Sequence, residues 1–115
     1  MTFSVSYAGR EGGGVYLRLA GELDMSTAGE LTATIDRLAA DGERRMLLDL
    51  TDLTFCDSTG MAVFVRGDNR AAADGGWLRL TGATGAVERV LRVTGLAEVL
   101  RYQPDSVDPA SRSAS

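Results

Sequence analysis

The stretch LDLTDLTFCDSTGMAVFV, residues 48–65, changes period in its middle. Its first part, continued upstream through Met46 and Leu47, is a nearly continuous apolar run of the kind a central strand shows when both its faces are covered. From Ser58 onward, Met61, Ala62, Phe64 and Val65 recur at helical spacing. Between the two lie Asp57-Ser58-Thr59-Gly60. All three side chains before the glycine can accept bonds from the free amides of a helix's first turn, so the pattern reads as a strand passing directly into a capped helix.

Working outward, residues 3–8 (FSVSYA) and 15–20 (VYLRLA) alternate apolar and polar around the glycine-rich GREGGG. They predict two antiparallel strands joined by a loop, with Phe3, Val5 and Tyr7 on one face. Residues 25–42 place Ala28, Leu31, Ile35, Leu38 and Ala39 on one side of a helix that Asp24 or Ser26 can cap and Gly42 can end. Asp74-Gly75-Gly76 closes the second helix, and residues 77–80 form the next strand. Residues 84–94 form a third helix ending at Gly95, and residues 98–102 are expected as a last strand. Strand-helix-strand units favour parallel pairing with right-handed crossovers. The expected fold is therefore a single α/β domain over residues 1–103, a mixed, mostly parallel sheet with an antiparallel first strand and helices packed against it. Residues 104–115, with two prolines in the last dozen or so positions and no apolar period, are expected as a polar flexible tail.

Composition narrows the function. The chain has 115 residues, 44% of them hydrophobic, with no apolar run near the roughly 20 needed to cross a bilayer and no leader pattern at the start. Direct membrane insertion is not expected, and the cytoplasm is. A net charge of -4 with no basic run longer than Arg44-Arg45 argues against nucleic acid as a partner. There is no histidine and no lysine, which removes the commonest general base, the commonest metal ligand and any Schiff-base amine. The single cysteine, Cys56, sits among apolar neighbours and reads as a small core hydrophobe.

Enzyme readings of the Asp-Ser-Thr-Gly stretch fail on these absences. A serine nucleophile at this turn would need a glycine where Cys56 stands and a histidine to take its proton. An aspartic protease needs a second copy of its motif, and a phosphoacceptor aspartate of the response-regulator kind resembles a site built with a lysine. TGATGAVERV, residues 81–90, lacks the Gly-Lys-Ser/Thr ending of a phosphate loop. Asp49, Asp52 and Asp57 suggest solvated carboxylates rather than a metal site, so neither a metal nor another cofactor is expected. Ser58 remains as a cap residue, or as a cap residue that also carries a phosphate, because the positive end of a helix suits both.

Three segments together resemble the STAS domain family, and within it the small free-standing bacterial anti-sigma factor antagonists. They are Gly21-Glu22-Leu23-Asp24, LLDLTDLTFCDSTGMAVFV, and VERVLRVTGL at residues 87–96. The resemblance implies a binding module rather than an enzyme. Its unphosphorylated form would bind an anti-sigma factor that is also a serine kinase of ATPase fold, thereby releasing a sigma factor and regulating transcription. It implies phosphorylation at Ser58, reversed by a metal-dependent serine phosphatase, with Asp24 and Asp57 flanking the serine and Thr59 as a secondary candidate. Ser26, Gly60 and Met61 complete the flanking, partner-facing set. The rival reading is a non-switching STAS accessory subunit of a membrane transporter or a larger signalling assembly. The polar tail stands where many relatives carry another amphipathic helix, which implies either apolar surface near the last strand for a second contact or a weak homodimer, or simply a reduced domain.

Overall fold

The computed structural model describes residues 3–100. The chain opens with a hairpin of β1 (Phe3–Gly9) and β2 (Val15–Leu23), antiparallel over seven residue pairs from Phe3↔Gly21 to Gly9↔Val15. The turn needs its glycines: Gly12, Gly13 and Gly14 all have positive φ, and a Cβ on Gly14 would stand 2.9 Å from the carbonyl oxygen of Arg45. After α1 (Ala28–Ala40), β3 (Arg45–Cys56) runs parallel to β2. After α2 (Ser58–Ala73), β4 (Trp77–Thr81) runs parallel to β3. Helix α3 (Gly85–Val93) and the short α4 (Leu96–Val99) follow. The sheet order is β1-β2-β3-β4, so the mixed sheet with an antiparallel first strand is as the sequence pattern implied.

Helices α1 and α2 bury one sheet face. Leu31, Ile35 and Leu38 of α1 and Met61, Val63 and Phe64 of α2 join Leu17, Leu19, Met46, Leu48, Leu50, Leu78 and Leu80 in one cluster. Each large side chain so buried is worth about 1.5–3 kcal/mol. Gly67 lets α2 lie close to the sheet, because a Cβ there would come within 2.6 Å of Leu78 Cδ1. On the opposite face the register aligns Tyr16, Leu47 and Arg79, then Arg18, Asp49 and Thr81. Among the described residues no helix is long and apolar enough to cross a membrane.

Strand β3 is longer than its apolar run suggests. Its last pair with β4 is Asp49↔Thr81, yet it continues beside β2 to Leu23↔Cys56. Over that extension β3 advances three residues while β2 advances two (Arg18↔Asp49 to Ala20↔Asp52), and then two while β2 advances one (Gly21↔Leu53 to Glu22↔Phe55). These two bulges explain why the inward residues change spacing to Leu50, Leu53 and Cys56, which no simple alternation describes. Asp49 supports the first bulge. Its Oδ1 accepts from Thr51 N at 2.9 Å and Thr51 Oγ1 at 2.5 Å, its Oδ2 accepts from the Tyr16 hydroxyl, and Arg18 lies 3.7 Å away. The carboxylate is fully buried.

One element differs from expectation. Residues 98–102 are not a strand within the described range: Leu96–Val99 is a helical turn and Leu100 its C-terminal residue, while residues 101 and 102 lie outside the described residues, as does the expected tail. Gly95, with φ 79°, lets the chain turn after α3, and Glu98 N and Val99 N then donate to its carbonyl. Leu96 and Ala97 pack against the core and Leu100 is buried, a spacing of three and four rather than two.

Asp49→Ala takes away the acceptor of the Tyr16 hydroxyl and the Thr51 amide in a part-buried setting. Urea unfolding is expected to show a loss of about 2–3 kcal/mol, with folding otherwise retained. A loss under about 0.5 kcal/mol would mean that the carboxylate does not hold the bulge.

Candidate functional site

Because β2 and β3 are parallel and end in register at Leu23↔Cys56, the segments that leave them emerge side by side. The Asp57 amide closes this junction, donating to the Leu23 carbonyl at 3.2 Å. Asp57 is extended (φ -97°, ψ -173°) and caps α2, its Oδ1 accepting from Gly60 N at 3.0 Å. Ser58 is the first helical residue, and its side chain is exposed. Thr59 is half-buried. The amides of Ser58 and Thr59 have no acceptor among the described residues, so the positive end of α2 opens where the Ser58 hydroxyl stands.

The β2–α1 segment forms the other wall. Asp24 Oδ1 accepts from Ser26 N at 2.9 Å and Ser26 Oγ at 2.7 Å, while Thr27 Oγ1 donates to the Glu22 carbonyl and accepts from Asp24 N, both at 2.9 Å. The Ser26 hydroxyl, and then its amide, hold the Asp24 carboxyl below its ordinary pKa. Neither Asp24 nor Ser26 is the helix cap that the pattern suggested. Helix α1 starts at Ala28 with Thr27 in the cap position, because Asp24 is spent on its own loop and its carbonyl takes the Ala28 amide at 2.8 Å.

Residues 8–102 match the family described as Mlab, STAS domain. The chain belongs to the STAS domain family. An anti-sigma-B factor antagonist of Bacillus subtilis (strain 168) is 30% identical over 86 residues, which are 75% of this chain and 78% of that protein. Two solved structures share the fold. An anti-sigma factor antagonist from Mycobacterium paratuberculosis superposes with a TM-score of 0.82 at 23% identity, covering 98% of this chain and 93% of that one. The Bacillus cell fate determinant SpoIIAA in its phosphorylated form superposes with a TM-score of 0.73 at 22% identity, covering 99% of this chain and all of that one, 100%.

The structure sorts the expected site residues of this STAS domain by accessibility. Asp24, Ser26, Asp57, Ser58 and Thr59 converge on one sheet end. Gly60 and Met61 are buried beneath it and contribute packing rather than contact surface. Gly60 has no room for a side chain: a Cβ would lie 2.7 Å from Cys56 Sγ and 2.8 Å from Leu23 Cγ. Cys56 is a core residue whose thiol, pushed up to about 12 by burial and then by the nearby Asp57 charge, stays protonated at neutral pH. Two residues that the sequence pattern did not single out also belong to this end. Met25 is 80% exposed in the β2–α1 loop, and Phe55, paired with Glu22, is 46% exposed one residue before Cys56. The signal in the sequence was the three-residue spacing of Leu50, Leu53 and Cys56, which turns Phe55 outward.

Asp57→Ala removes the cap bond of α2 and is expected to cost about 1 kcal/mol, read as a lowered Tm. An unchanged Tm would mean that solvent replaces the carboxylate at no cost. The Cys56 thiol, with a thiolate fraction on the order of 10⁻⁴ at pH 8, is expected to resist a disulfide reagent in the native protein and to react at once in denaturant. Equal rates in both states would contradict its burial.

Proposed function

We propose that this STAS domain is an anti-sigma factor antagonist switched by phosphorylation of Ser58. Unphosphorylated, it binds an anti-sigma factor that is itself a serine kinase and so releases a sigma factor for transcription. Phosphorylated, it lets go until a serine phosphatase restores the hydroxyl. The observation that carries this reading is the exposed Ser58 hydroxyl at the first position of α2, flanked by Asp24 and Asp57 and by exposed Met25 and Phe55. The name of the Bacillus subtilis relative and the phosphorylated state of the SpoIIAA structure support it.

Magnitudes favour a local block over a refolding switch. The end of α2 steadies a charge by roughly 0.3–1 kcal/mol at an exposed position, too little to rearrange the core. A phosphate adds about -1.5 to -2 charges beside two carboxylates. Burying that cluster in an interface of Met25 and Phe55 leaves the added charge without water, beside carboxylates Asp24 and Asp57 that make no ion pair among the described residues, and Asp24 is already held ionised by Ser26. A penalty of about 3 kcal/mol weakens binding by more than a hundredfold. Unmodified Ser58 presents only a neutral hydroxyl. Without histidine or lysine, the chain lacks the commonest general base and any phosphate-binding amine, so the kinase brings ATP and its own catalytic groups, and this chain presents the acceptor.

The test is incubation of the purified chain with a candidate anti-sigma serine kinase and Mg-ATP, followed by intact mass and pull-down. Wild type is expected to gain one phosphate and lose binding more than a hundredfold, and the phosphatase should reverse both changes. Ser58→Ala is expected to gain no phosphate and stay bound. Phosphate that persists in Ser58→Ala, or phosphorylated protein that binds as well as unmodified protein, would overturn the reading.

A further inference from the structure

We propose that the outer edge of β1 is a self-pairing edge, through which two copies of this chain join β1 to β1 in one continuous sheet. Strand β1 ends the sheet order and pairs with β2 along its whole length without a bulge. Among the described residues its backbone bonds run only to β2, so its outward amides and carbonyls form an open ladder. Open edges are ordinarily blunted by charge, proline, a bulge or a cover. FSVSYAG has none of the first three. The opposite edge strand is treated differently: the Leu78 amide of β4, which points away from β3, is occupied by Asp68 Oδ1 at 3.1 Å, and Arg79 adds charge.

A second copy is the occupant because the strand is complementary to itself. Phe3-Ser4-Val5-Ser6-Tyr7 is nearly symmetric about Val5. Antiparallel pairing about a two-fold axis at Val5 sets Val5 against Val5 of the second copy, Ser4 against Ser6, and Phe3 against Tyr7. These are β-branched, hydroxyl and aromatic cross-strand pairs, each of a favourable kind. Phe3, Val5 and Tyr7 lie on the helix-covered face by their register with Gly21, Leu19 and Leu17, and Tyr7 is half-exposed there, so the second copy would cover it. Ser4 and Ser6 lie exposed on the other face. The contact is isologous and closes at two copies, since the Asp68-capped β4 edge offers no continuation. A ladder of about five residues falls below the roughly 1,200 Å² of a standard interface, so dissociation in the micromolar range or weaker is expected. The Ser58 end lies at the tips of β2 and β3 and stays open in both copies, so this inference stands apart from the proposed switch.

Sedimentation equilibrium of the purified chain from about 10 µM to about 1 mM tests it, with folding of each variant checked by circular dichroism and Tm. Wild type is expected to double in mass reversibly across that range. Ser4→Lys with Ser6→Lys puts lysine opposite lysine twice and is expected to stay monomeric. Ser4→Lys with Ser6→Glu puts lysine opposite glutamate twice and is expected to restore the dimer. Without any variant, amide exchange over Ser4–Tyr7 should slow as concentration rises. A wild type that remains monomeric at the top concentration, a double-lysine protein that dimerises like wild type, a lysine–glutamate protein that does not recover, or exchange independent of concentration would each overturn the proposal.

Discussion

The Asp57 amide donates to the Leu23 carbonyl, and that bond fixes where β3 stops and α2 begins. It forms only because β2 and β3 stay paired to their last residues, through two bulges that shift β3 forward. The buried Asp49 carboxylate takes the Thr51 amide beside the first bulge, and the Leu23↔Cys56 pair lies at the end of the second. Asp57 then has its backbone committed to the strand junction and its side chain to the Gly60 amide. Ser58 is left as the first residue with a free hydroxyl.

Packing beneath this junction is as constrained as its hydrogen bonding. Gly60 rests on Cys56 and Leu23, and Met61 and Phe64 continue the same layer into the core. An interior of this density resists displacement, because overpacking by even one carbon costs about 1–3 kcal/mol. A charge change at the surface therefore has little means of propagating inward, and its effect stays with whatever touches the surface. Asp24 reinforces this, since Ser26 and Thr27 hold its loop in place by short local bonds.

Much of this was legible in the sequence, for identifiable reasons. The Asp57 cap could be read because an acceptor side chain directly follows a strand run and precedes a helical period, two signals that agree. The hairpin could be read from alternation on both sides of a glycine cluster. The bulges could not, because the spacing of Leu50, Leu53 and Cys56 fits neither a strand nor a helix, and so the exposure of Phe55 stayed hidden. The strand expected over residues 98–102 misled in the other direction: a short run is compatible with either period, and as far as Leu100 the αL turn at Gly95 decides for helix. At α1, Asp24 and Ser26 read as candidate caps, but Thr27, which reaches back to Glu22, takes the cap position and Ser26 donates to Asp24 within the loop.

Strand β3 outruns β4 by the seven residues after Asp49, supported on that stretch by β2. Strand β1 flanks β2 as far as Gly21, so among the described residues only the last pairs, Glu22↔Phe55 and Leu23↔Cys56, project as a two-strand tip, and Ser58 stands just beyond it. A kinase works inside a cleft, and a hydroxyl on a flat rim would be held out of it by the neighbouring strands. Under the proposed switch, such a tip would let the acceptor enter the cleft while the rest of the domain stays outside, and the extra length of β3 would give the kinase its reach to the serine.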